Sequence, residues 1–149
     1  MTYNDLRKGR LSETNRVYFV TTVTYQRKPL FKNLHLARAV IQVMKRLDRD
    51  DYVKSISWIV MPDHVHWLFQ LENNMALAEV MKRLKAWSAR SINTQLNRKG
   101  KVWQKTYYDH ALRQDEDVKA VSRYIVANPL RAGLVEDVGM YSHWDALWL

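Results

Sequence analysis

A chain of 149 residues, 47% hydrophobic and 26% charged, has the size and composition of one globular domain spanning 1–149, which excludes disordered, collagen-like and low-complexity classes. Its 24 Lys and Arg against 15 Asp and Glu give a net charge of +9, pointing to a polyanionic partner with nucleic acid first. The absence of cysteine excludes disulfide scaffolds, thiolate metal sites and cysteine nucleophiles, so any metal must be held by His, carboxylate or amide groups.

The opening MTYNDLRKGRLSETNRVYFV has no apolar core of signal-peptide length, and no later run approaches the ~18 apolar residues of a membrane span. A cytoplasmic protein with no membrane partner is expected. Residues 16–25, RVYFVTTVTY, are β-branched and aromatic and predict a first strand that ends before Pro29. From Asn33 to about Arg49, Leu34, Ala37, Val40, Ile41, Met44 and Leu47 recur at helical spacing, with Asn33 as N-cap. Residues 52–60, YVKSISWIV, and 64–71, HVHWLFQL, predict two strands joined through Met61-Pro62-Asp63 into a hairpin. Leu77, Val80, Met81, Leu84, Trp87, Ile92 and Leu96 predict a second long helix between Met75 and about Asn97, with Ser88 and Ser91 weakening its middle. Residues 102–113 are of extended or mixed character. Asp115 can cap a third helix, carrying Val118, Val121, Tyr124 and Ile125 on one face and closed by Asn128-Pro129. The order strand, helix, strand, strand, helix, strand, helix predicts an α+β, ferredoxin-like (RRM-like) sandwich, an antiparallel sheet with helices on one face.

Between Val80 and Lys105 stand Lys82, Arg83, Lys85, Arg90, Arg98, Lys99, Lys101 and Lys105 with no acidic residue. They read as a phosphate-contacting surface or as a solvated basic face, and Trp87 and Trp103 as base-stacking rings or core. His64-Val65-His66 on a strand directs two imidazoles to one side, either as ligands of one divalent cation or as an exposed pair. Tyr124 and Asn128, four apart on a helix, project a phenol and an amide together; core packing and a helix stop are the alternative. Taken jointly, these residues suit one chemistry. A tyrosine oxygen can attack a phosphodiester and leave a phosphotyrosine, provided a cation withdraws charge from the phosphate oxygens. With a free phenol pKa of about 10, the tyrosine needs that help near neutral pH. Two imidazoles and one amide are neutral ligands that preserve the cation's full charge, and Mn²⁺ should be held better than Mg²⁺. The acidic tail LVEDVGMYSHWDALWL at 134–149 has two readings, cover for an apolar core patch or a competitor for the basic surface, and the first is favoured.

The string WIVMPDHVHWLF at 58–69 resembles the His-hydrophobic-His signature of HUH endonucleases. WQKTYYDHALR at 103–113, followed by YIVANPLRAGLV at 124–135, is similar to single-tyrosine transposases, specifically the REP-associated tyrosine transposase branch. That resemblance implies an HUH core, a Mg²⁺ or Mn²⁺ cofactor, and cleavage and joining of single-stranded or hairpin DNA through a 5′-phosphotyrosine with a free 3′-OH. His64 and His66 then match the metal histidines, Tyr124 the nucleophile and Asn128 the third ligand, where related insertion-sequence transposases usually carry glutamine. Tyr107, Tyr108 and His110 belong to the branch signature without an assigned role. The resemblance also implies extragenic palindromic hairpins as substrate and a nucleoid-associated location, and leaves monomer and dimer open. A self-mobilising insertion-sequence enzyme and a non-catalytic nucleic-acid-binding module on the same fold are the rival readings.

Overall fold

The computed structural model describes residues 16–72, 75–113, 118–127 and 144–146. β1 (Val17–Val23) leads through two 3-10 turns, Tyr25–Arg27 and Leu30–Lys32, into α1 (Leu34–Arg49). β2 (Val53–Met61) and β3 (His64–Leu71) follow, then α2 (Leu77–Gln95), β4 (Tyr108–Ala111), α3 (Val118–Val126) and β5 (Trp144–Ala146). The sheet order is β4-β1-β3-β2-β5 with every neighbouring pair antiparallel. Its first four strands have the ferredoxin-like order, in which β3 splits the β1-α1-β2 unit.

Strand periodicity divides the side chains between two faces. Tyr18 and Val20 of β1, Trp58 and Val60 of β2, and Val65, Trp67, Phe69 and Leu71 of β3 point into the main core beneath α1 and α2. The Asn33 cap is realised: its Oδ1 accepts from the His35 and Leu36 backbone N–H groups at 2.9 and 3.4 Å. The buried stripe of α1 begins at Leu36, whereas Leu34, counted into it by periodicity, is 43% exposed. The two long helices cover one face as expected. α3 instead lies on the other face, where Ile125 joins a second apolar cluster with Ile56, Ile59, Met61, Leu68 and Leu112.

Two further differences have local causes. The first strand ends at Val23 because Thr24 makes just an isolated bridge to Trp103, and Tyr25 begins a 3-10 turn. The tail contributes an edge strand that the sequence reading lacked, with Ser57 opposite Ala146, Trp58 opposite Asp145 and Ile59 opposite Trp144. Backbone pairing of these three residues agrees with a structural tail; most of 134–149 lies outside the described residues.

Ser88, which looked like a defect in α2, is buried and accepts the Trp103 indole N–H at 2.9 Å. Its own hydroxyl donates to the Leu84 carbonyl. Trp103 is therefore a core residue tied to α2. Ser88→Ala should leave that indole N–H buried and unpaired, lowering unfolding free energy by about 1–3 kcal/mol in chemical denaturation, although alanine is the better helix former.

Candidate active site

The candidate residues lie on the face of the sheet away from α1 and α2. His64 and His66 alternate with the buried Val65 on β3, so both rings emerge on this face, with centroids 4.8 Å apart in an edge-on arrangement. Each Nδ1 is 2.7 Å from an oxygen: Asp63 Oδ1 for His64 and Thr21 Oγ1 for His66. Thr21 sits opposite His66 in the β1–β3 register, which explains the second contact. Phe19, two residues earlier on the same face of β1, stacks on His66 with centroids 5.4 Å apart and rings 23° from parallel.

Asp63 also takes the Arg27 guanidinium, Nη1 to Oδ2, at 3.1 Å. Burial alone would raise the Asp63 carboxyl, but the hydrogen bonds and charges of His64 and Arg27 outweigh it and hold the group below its ordinary value. At neutral pH it is a carboxylate, able only to accept.

Tyr124 projects from α3 and is 56% exposed. It lines an apolar cavity of about 350 Å³ together with Phe19, His110, Leu112, Ala120 and Val121. Phe19 therefore bridges the two constellations, touching His66 on one side and the tyrosine's cavity on the other. β4 brings two members of the unassigned signature to this face: His110 lies opposite Phe19 and Tyr108 opposite Thr21. Tyr108 meets Phe19 edge-on at 6.3 Å, while Tyr107 packs against the main core with the Lys85 ammonium 5.3 Å from its ring centroid.

Among the described residues, no three His, Asp or Glu side chains form a metal-holding group. The donors in place are the two imidazoles, neutral ligands whose paired rings and occupied Nδ1 atoms suit a divalent cation at Nε2. Asn128, the third predicted ligand, lies outside the described residues. Thr21 and Asp63 are site residues that sequence reasoning missed; the only signal was Asp63's place next to His64.

The basic segment separates into two groups. Lys82, Arg90, Lys99 and Lys101 are exposed. Arg83 instead binds Glu79 at 3.1 Å and lies over Tyr52 and Trp87. Lys85 donates to the carbonyls of Gln104, Lys105 and Thr106 at 2.9, 3.3 and 3.2 Å, and its burial lowers the ammonium's pKa. The Lys85 ammonium thus ties down the loop before β4. Arg98 is half-buried beside Arg90 and Lys99 around a cavity of about 680 Å³.

An antiparallel ferredoxin-like sheet with a His-x-His pair on its central strand, and a helix-borne tyrosine on the same face, has the architecture of single-tyrosine HUH nucleases. A family model for IS200-like transposases matches residues 12–128, and the chain belongs to that family. Members of the family are metal-dependent. A Haemophilus influenzae protein assigned as a REP-associated tyrosine transposase is 32% identical over 95 residues, 57% of this chain and 54% of that one, so the match spans about half the length of this relative. The REP-associated tyrosine transposase of Escherichia coli K12 is 24% identical over 124 residues, 81% of this chain and 70% of that protein. A REP-associated tyrosine transposase solved bound to a REP hairpin superposes with a TM-score of 0.70 at 22% identity, covering 91% of this chain and 79% of that one, a likeness of fold.

Proposed function

We propose that the protein is a metal-dependent endonuclease and strand transferase that acts on REP-type hairpins with single-stranded flanks, using Tyr124 as nucleophile and His64, His66 and Asn128 as metal ligands. The observation that carries this reading is the continuity of the site through Phe19, which puts the histidine pair and the exposed tyrosine along one face. The relatives' names support REP hairpins as the substrate class.

A bound divalent cation, Mg²⁺ or Mn²⁺, would supply charge withdrawal from the non-bridging phosphate oxygens in the pentavalent transition state. Tyr124 Oη forms the new P–O bond as its proton passes to solvent water. The P–O3′ bond breaks, the 3′ oxygen takes up a proton, and the products are a 5′-phosphotyrosine and a free 3′-OH. Joining is the reverse: a 3′-OH attacks the phosphotyrosine and releases the phenol. Phe19 excludes water from one side of His66, which strengthens electrostatic interactions there. No helix among the described residues is long and apolar enough to cross a membrane. Action on DNA supports a cytoplasmic, nucleoid-associated location.

Incubation with a hairpin-bearing single strand and Mn²⁺ tests the reading. An SDS-stable protein–DNA adduct is expected, absent with EDTA; a non-catalytic binding module would shift the DNA without forming the adduct. Recognition is tested separately by salt. Neutralising Lys82, Arg90, Lys99 and Lys101 to Gln should flatten the slope of log K against log salt by roughly 0.7–0.9 for each true phosphate contact. Lys85→Gln should leave the slope alone and loosen the 104–106 loop. An unchanged slope in the fourfold variant moves the DNA path elsewhere.

A further inference from the structure

The turn that delivers His64 is fixed more firmly than a two-residue hairpin loop requires. The Thr24 N–H donates to the Asp63 carbonyl at 2.9 Å, and the Phe31 N–H donates to the Pro62 carbonyl at 3.0 Å. The Arg27 side chain closes a third tie, onto the Asp63 carboxylate. All three ties come from the 24–31 segment, whose Gln26 and Arg27 both have left-handed backbone, φ 56° and 51°. Non-glycine residues in that region are strained and persist where the surroundings over-determine them. These two residues turn the chain between β1 and α1 so that the Arg27 guanidinium reaches Asp63.

We propose that Asp63, anchored by Arg27 on this left-handed turn, is a positioning residue that holds the His64 imidazole in its Nδ1–H tautomer and thereby presents Nε2 to a divalent cation. The inference rests on the reading of His64 as a metal ligand and extends it to residues that nothing else assigns. Its basis is geometric. Asp63 Oδ1 is 2.7 Å from His64 Nδ1 while Oδ2 meets Arg27 at 3.1 Å, so the carboxylate bridges the guanidinium and the ring. A carboxylate accepts only, so the proton of the neutral ring must stand on Nδ1 and the lone pair on Nε2. Carboxylate–histidine–metal arrangements of this kind set ring orientation and raise ligand basicity, and their loss typically costs about 10–100-fold in metal affinity. A side-chain amide in place of the carboxylate can offer either N–H or C=O to Nδ1, which releases the tautomer with little change of shape.

The tautomer is read directly in metal-free, ¹⁵N-histidine-labelled protein by long-range ¹H–¹⁵N correlation, at an alkaline pH where the spectrum itself shows the ring neutral. Wild-type His64 should carry its proton on Nδ1. Asp63→Asn should lose that preference and bind Mn²⁺ about 10–100-fold more weakly by calorimetry. Arg27→Gln, which frees one carboxylate oxygen and keeps the two backbone ties of the hairpin turn, should move both readouts in the same direction by less, and covers the case in which Asp63→Asn fails to fold. A wild-type His64 protonated on Nε2, or an Asp63→Asn protein with unchanged tautomer and Mn²⁺ affinity, would overturn the proposal. Failure of the metal reading looks different: the tautomers behave as described, but wild-type protein takes up no Mn²⁺.

Discussion

Tyr124→Phe is expected to abolish covalent attachment to DNA while leaving fold and binding intact. The hydroxyl removed is on a side chain 56% exposed to solvent, so the stability change should stay within about 0.5 kcal/mol, the usual range for surface substitutions. Adduct formation should fall by about 10⁴-fold or more, the scale on which losing a nucleophile acts when the rest of a site is intact. The measurement is the SDS-stable adduct formed with a hairpin-bearing single strand and Mn²⁺, alongside equilibrium binding of the same DNA. The informative competitor is Tyr108. It is 55% exposed, stands on the same face, and lies opposite Thr21, whose hydroxyl holds His66. Tyr107 is a weaker competitor because it packs against the main core. If Tyr124→Phe still forms the adduct and Tyr124→Phe/Tyr108→Phe does not, the nucleophile is on β4, and α3 serves only to bound the cavity beside it.

Elements whose identity is set by local pattern were readable from the chain. The Asn33 cap and the apolar spacing behind it specify α1, and Pro62-Asp63 between two β-rich runs specifies the β2–β3 hairpin. His-x-His on a strand requires only a two-residue period to place both rings on one face. Long-range partners were not readable. Asp63 reads as a turn residue until Arg27, 36 positions earlier, is folded onto it. Lys85 reads as one cation in a basic run, but three loop carbonyls some twenty residues later use its ammonium. The face chosen by α3 is likewise a matter of tertiary packing, since an apolar helical stripe carries no sign of which side of a sheet it will cover. β5 has only three residues, too few for alternation to register, and it forms because β2 offers an open edge.

The second large effect concerns the histidine pair. His64→Ala or His66→Ala removes one of the two imidazoles in the proposed metal site, and either should reduce cleavage by at least about 10³-fold under conditions where Tyr124 is intact. The two differ in their cost to the fold. The His64 side chain is 19% exposed and its Nδ1 contact is to its chain neighbour Asp63, so His64→Ala gives up little long-range structure. His66 is bound by Thr21 across the strand pair and stacked on Phe19, so His66→Ala should also lower metal-free stability, by about 1 kcal/mol. Metal linkage separates ligand loss from structural loss. A cation that binds only the folded protein stabilises it by RT ln(1 + [L]/Kd), about 2.7 kcal/mol at a hundredfold excess over Kd, so Mn²⁺ should raise the wild-type melting temperature. Both alanine variants should lose most of that increment, whatever their metal-free melting temperatures, and EDTA should bring wild type back to its own metal-free value. Wild-type cleavage that survives exhaustive EDTA treatment would show that the imidazoles act directly on the phosphate or only support the fold; those two roles then divide on whether His64→Ala, the structurally milder change, still cleaves.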